Sequence, residues 1–225
     1  MRAERQMRQS GFRSTLTRAA LIALACLILA GLASSCARTA VRSELVYEDS
    51  LPSYHRVLDN WTRNARIYDG LETVAIFNAT YLSKNFREAY AQEYARSKGY
   101  TAEHRDRLID ESLEEHARMN VFNLAVYTHQ KDLNDLDRKP SSWNVMLVAA
   151  DGRTIEPERV RKLTVRPFAL REFYPYLNDW TEFYEVTFPR LFGVTGTPVI
   201  REGKSEFSLV VTGVLGRAEM TWRFE

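Results

Sequence analysis

The side chains able to do nucleophilic, acid–base or metal chemistry are few. Two cysteines, Cys26 and Cys36, and four histidines, His55, His104, His116 and His129, are spread over 225 residues. Cys26 sits inside the apolar run Ala19–Ala33, where a cysteine is a small hydrophobe. Cys36 follows that run after Leu32-Ala33-Ser34-Ser35, and a thiol is the one good nucleophile at the exit. Two cysteines are too few for a disulfide framework or a four-cysteine zinc site. His104 and His116 lie about 120° apart on a helix of ~3.6 residues per turn, so one helix cannot aim both at one ion.

Acid–base chemistry would need a dispersed pair. Two or more of His55, His104, His116, Asp106 and Asp110 would have to converge in one cleft to support hydrolysis. Asp106, Asp110 and Glu114 stack along one helix face, but beside Arg107 they read as a solvated stripe. Asp132–Asp137 has part of a calcium-loop pattern, with Leu136 at the fifth position and no glycine after it, so it reads as an acidic surface loop. No nucleophile-elbow, phosphate-loop, dinucleotide or zinc-protease motif occurs. No metal and no cofactor is expected, and no residue is assigned a catalytic role.

Binding chemistry has one concentrated source. Phe168–Phe188 holds eight aromatic residues, able to stack on sugar rings or anchor a protein partner. Trp180, Tyr184 and Phe188 share the parity of an inward strand face. That leaves Phe183, with Tyr174 and Tyr176 around Pro175, as the candidate exposed binding residues.

These residues must be held by elements the pattern also predicts. Tyr54, Val57, Leu58 and Trp61 have helical spacing, with Ser50 as cap and Pro52 in the first turn. Thr73–Tyr81, rich in β-branched and aromatic residues after the Asp69-Gly70 turn, reads as a strand covered on both faces. Residues 83–118 form a helical hairpin, capped by Ser83 and Thr101 and broken at Gly99. From Val121 the period switches to two. Phe122-Leu124-Val126, Trp143-Val145-Leu147-Ala149, Phe207-Leu209-Val211 and Ala218-Met220-Trp222-Phe224 are strand faces. The fold class expected is α+β, an antiparallel β-sandwich of which the immunoglobulin-like form is one version, with the helical hairpin inserted.

Five arginines against one acid over residues 1–18, an apolar stretch and a small-residue exit are the parts of a secretory signal peptide. With Cys36 at its end, the exit resembles that of the bacterial lipoproteins, except that Ala33 stands where that family prefers Leu. The resemblance implies a leader over 1–35, a diacylglyceryl group on Cys36, a polar tether over 36–49 and one mature domain over 50–225, mostly β from 119. It further implies a membrane partner held through covalent lipid. Ala37 follows the cysteine where Asp would retain enterobacterial members at the inner membrane, so the outer membrane is the expected address. An ordinary signal-peptide cut or an uncut anchor are the alternatives.

Removing the leader changes the charge. The 31 bases fall by five to 26 and the 29 acids by one to 28, so the mature net charge is −2 rather than +2. The apparent basicity belongs to the leader, and no nucleic-acid partner is expected. The reading is a lipid-anchored envelope protein, a non-catalytic binding or structural module for an envelope protein or cell-wall component. An envelope hydrolase with a dispersed His/carboxylate site is the alternative.

Overall fold

The computed structural model describes residues 53–164, 167–193, 196–202 and 205–223. Cys36, the leader, the tether, Ser50, Pro52 and Phe224 lie outside them. Helix α1 (Tyr54–Trp61) buries Tyr54, Val57 and Leu58 at the predicted spacing. A hairpin follows, β1 (Thr62–Asp69) and β2 (Glu72–Tyr81), turning at Asp69-Gly70.

Helices α2 (Lys84–Lys98) and α3 (Ala102–Arg118) start where their caps place them. The Ser83 hydroxyl accepts from Phe86 N and that of Thr101 from His104 N, contacts worth about 1 kcal/mol each. Gly99 ends α2 in the left-handed conformation (φ 64°) that a side chain would strain.

The remaining chain is β3 (Met119–Thr128), β4 (Trp143–Val148), the short β5 (Thr154–Ile155), β6 (Arg159–Lys162) and the one-turn helix α4 (Pro167–Leu170). Then come β7 (Glu182–Pro189), the paired β8 (Leu191–Phe192) and β9 (Thr197–Pro198), β10 (Phe207–Gly213) and β11 (Gly216–Trp222).

Two antiparallel sheets pack face to face, so the α+β sandwich expectation holds at that level. One has five strands in the order β1-β2-β3-β7-β6, the other four in the order β11-β10-β4-β5. Phe77, Tyr81, Phe122, Leu124, Tyr184 and Phe188 meet Leu147, Phe207, Leu209, Met220 and Trp222 between them. On β2, Ala75, Phe77, Ala79 and Tyr81 are fully buried, but the opposite face, expected to be covered as well, is only half-buried at Val74, Ile76 and Asn78, because the helices reach only part of it. At one edge the sheets close: Arg63 Nε donates to Thr221 O (3.0 Å) and Trp222 Nε1 to Trp61 O (2.9 Å). Gly216 allows this approach, since a Cβ there would stand 3.0 Å from Ile67 Cγ2.

The outer face of the five-stranded sheet is covered over one part. Tyr54, Val57 and Leu58 of α1, Phe86 of α2, and Phe173, Tyr174 and Leu177 form a second core on Ala125 and Phe183. Arg87 pins the hairpin down. Its Nε donates to Leu82 O (2.9 Å), and its Nη1 to Glu115 Oε2 (2.6 Å) and Ser112 Oγ (3.2 Å). No helix among the described residues is long and apolar enough to cross a membrane.

Candidate functional site

The histidines do not converge. His104 stacks on Tyr100 (centroids 4.0 Å apart), His129 lies 3.4 Å from Glu72, and His55 sits edge-on to Tyr54. Asp106 pairs with Arg105 and Asp110 is exposed. Only His116 is buried, and its partner is Glu202, a residue the sequence did not single out.

His116 Nε2 lies 3.0 Å from Glu202 Oε1, which also accepts from the Tyr81 hydroxyl at 3.0 Å. Asn120 Oδ1 is a second acceptor for that hydroxyl (3.0 Å) and takes a hydrogen bond from Arg190 Nη1 (2.9 Å). Arg190 stands 3.8 Å from Glu202. Burial pulls the Glu202 carboxyl upward, but His116, Tyr81 and Arg190 together hold it below the usual carboxylate range. Burial first, then the Glu202 charge, pushes the Tyr81 phenol well up. This cluster ties the ends of α3 and β2 to the start of β3 and to the segments around 190 and 202. Its polar atoms are engaged with one another, apart from a buried, unpartnered His116 Nδ1. It is a structural clasp rather than a site open to substrate.

The acidic loop is likewise structural. Asp135 accepts from Ser142 N (3.0 Å), Ser142 Oγ (3.0 Å) and Ser141 Oγ (3.2 Å), capping its own turn. Asn134 donates to Val126 O and accepts from the Tyr184 hydroxyl (both 2.9 Å), fastening the loop to the sandwich. Among the described residues, no three His, Cys, Asp or Glu side chains are grouped to hold a metal ion.

The aromatic segment departs from its expected exposure in both directions. Tyr174 and Phe183 are not exposed: they are 3% and 5% accessible, sealed beneath α1 and α2, with Asn123 Nδ2 donating to the Tyr174 hydroxyl (2.8 Å). The alternation is right for β7, but its outer face is covered by helices, which parity alone cannot reveal. Trp180, expected inside, is 68% accessible. Strand β7 begins only at Glu182, and residues 178–181 are a turn. There Asn178 Oδ1 accepts from Trp180 N (2.9 Å) and the Thr181 hydroxyl donates to Asn178 O (2.9 Å). Tyr176 is half-buried, its hydroxyl 2.6 Å from Thr80 Oγ1.

Trp180 overhangs the part of the sheet that the helices leave open. Arg66, Ile76 and Tyr127 stand side by side across β1, β2 and β3, with Asn78 two positions along β2. With Tyr176, Asn178, Trp180 and Thr181 they line an open groove of about 600 Å³. Lys131 Nζ lies 5.4 Å from the Trp180 ring centre. Among the described residues, the Arg66 guanidinium, Asn78 amide, Tyr127 hydroxyl and Trp180 Nε1 have no protein partner. The arrangement is a fixed aromatic plate facing uncommitted donors and acceptors, a combination suited to binding. Of its residues the sequence reading named Tyr176 as exposed; Arg66, Asn78 and Tyr127 carried no signal beyond strand parity.

A second concavity of about 580 Å³ lies between α2 and α3, lined by Tyr90, Tyr94, Leu108, Glu111, Glu115 and Leu170 among others. Glu115 is engaged there by Arg87, so it offers fewer free groups. Compared with protein-family models, curated proteins and solved structures, the chain matches none.

Proposed function

We propose that this chain is a lipid-anchored protein of the bacterial envelope, most at home on the outer membrane. In this reading it works as a non-catalytic binding module. The leader-like N-terminus and Cys36 support the anchoring. The observation that carries the binding role is the groove under Trp180, where a large exposed aromatic and three uncommitted polar side chains, Arg66, Asn78 and Tyr127, meet. The sandwich serves as a rigid scaffold for that face, whether or not it shares ancestry with immunoglobulin-like domains. The hydrolase alternative has less support, because the one buried histidine–carboxylate pair is spent on structural partners.

Fractionation of cells expressing the protein and its Cys36→Ser variant tests the anchoring. The parent is expected in the membrane fraction with a mature mass that includes acyl chains, and the variant in the soluble fraction. A membrane-bound variant, or an unmodified parent mass, overturns the anchoring. A photo-crosslinking residue at position 179, exposed beside Trp180 and outside the groove lining, tests the binding role in cells. Adducts with envelope material are expected there and not from Glu219 on the opposite sheet. Equal yields at both positions overturn it.

A further inference from the structure

We infer that the groove holds a polysaccharide, with one pyranose ring laid against Trp180 and carboxylate-bearing sugars preferred. This rests on the binding-module reading and names its ligand class. A sugar ring presents an apolar C–H face and a rim of hydroxyls, each both donor and acceptor. The groove mirrors that: an exposed indole and the Tyr127 ring for the face, with mixed donors and acceptors for the rim. Asn78 offers a carbonyl and an amide, Tyr127 a hydroxyl, Trp180 an N–H and Arg66 a donor fork.

A phosphate site would be built from donors alone, and an apolar peptide groove would not leave these groups unmatched. The volume is that of a small-ligand site, which typically measures about 300–1,000 Å³. The plate is also pre-set. Four hydrogen bonds fix the backbone of the Asn178–Thr181 turn that presents Trp180, and Tyr176 is tied to Thr80, so the segment carrying the plate need not be ordered on binding.

Charge selects among polysaccharides. No acidic residue lines the groove, whereas Arg66 does and Lys131 stands over Trp180. The acids flanking the Trp180 turn, Asp179 and Glu182, are paired with Arg171 and Lys162. A carboxylate on the sugar would meet an unmatched guanidinium in a fork geometry.

The test titrates the purified Cys36→Ser chain with a neutral oligosaccharide (chitohexaose) and an acidic one (hexagalacturonate), following Trp fluorescence and calorimetry. Saturable binding is expected, tighter for the acidic sugar. Trp180→Ala should weaken both at least about tenfold. Arg66→Gln should weaken the acidic sugar more than the neutral one and so cut the acidic preference. Thermal melts like the parent's show that each variant is folded. Absence of binding to either sugar, or affinity untouched by Trp180→Ala, overturns the inference. The crosslinker at position 179 separates the two failures. Protein adducts without sugar binding reject the polysaccharide and keep the binding module; neither adducts nor sugar binding rejects both.

Discussion

Replacing Glu202 probes the clasp around the buried His116. In Glu202→Ala His116 Nε2 loses its partner while Nδ1 already lacks one, and Arg190 loses its nearest carboxylate. A buried polar group left unmatched costs about 1–3 kcal/mol, more beside a charge, so the loss should be about 2–4 kcal/mol. Glu202→Gln keeps an acceptor oxygen for His116 and Tyr81, and should lose only about 1 kcal/mol. The pH dependence has a fixed sign. The folded carboxyl lies below its ordinary value, so its stabilisation is present above about pH 4.3 and fades as pH falls through the folded value. The gap between parent and Glu202→Gln must therefore shrink on acidification. Urea unfolding at pH 7 and at pH 3.5, read as a midpoint shift at unchanged slope, measures both. An alanine variant within about 0.5 kcal/mol of the parent, as for an ordinary surface site, would refute the reasoning. So would a gap that widens in acid.

Tryptophans at the two extremes should respond oppositely. Trp222, 1% accessible and stacked on Phe207 (centroids 5.1 Å apart), should cost about 3–5 kcal/mol as Trp222→Ala, whereas Trp180→Ala should stay within about 0.5 kcal/mol. Calorimetric melts check both. Burial raises the phenols of Tyr54, Tyr81, Tyr174, Tyr176 and Tyr184, and that of Tyr90 to about 12. Raised folded values stabilise the fold below the unfolded tyrosine value of about 10 and stop doing so as pH climbs past it. Alkaline unfolding and a late rise in tyrosinate absorbance should therefore coincide. Gly213→Ala would drive a Cβ into the Ser142 carbonyl oxygen and the Trp143 ring, and should destabilise by about 1–3 kcal/mol in the same melts.

Local signals were legible where they depend on near neighbours in the chain. Ser83, Gly99 and Thr101 delimit the helical hairpin because caps act within one turn, and β2, β4, β10 and β11 betray their inward faces by alternation. What alternation cannot supply is which sheet faces are covered twice. Phe183 and Tyr174 look presentable until α1 and α2 are laid over them, and that packing joins residues more than a hundred positions apart. Trp180 shows the converse: it matches the inward parity of β7 but lies two residues before that strand begins. Glu202 and Arg66 were unreadable: one is an acid in a loop, the other a base on a mostly polar strand. Only the fold sets them beside His116 and Tyr127.

The most direct measurement follows the indole N–H signals of the ¹⁵N-labelled Cys36→Ser chain during addition of solubilised cell-wall fragments. The Trp143 and Trp222 indoles donate to Leu133 O (2.5 Å) and Trp61 O (2.9 Å), which makes them internal references. The account predicts that the Trp180 signal shifts saturably while those two stay fixed. A Trp180 signal that never moves, or three that move together, would contradict it.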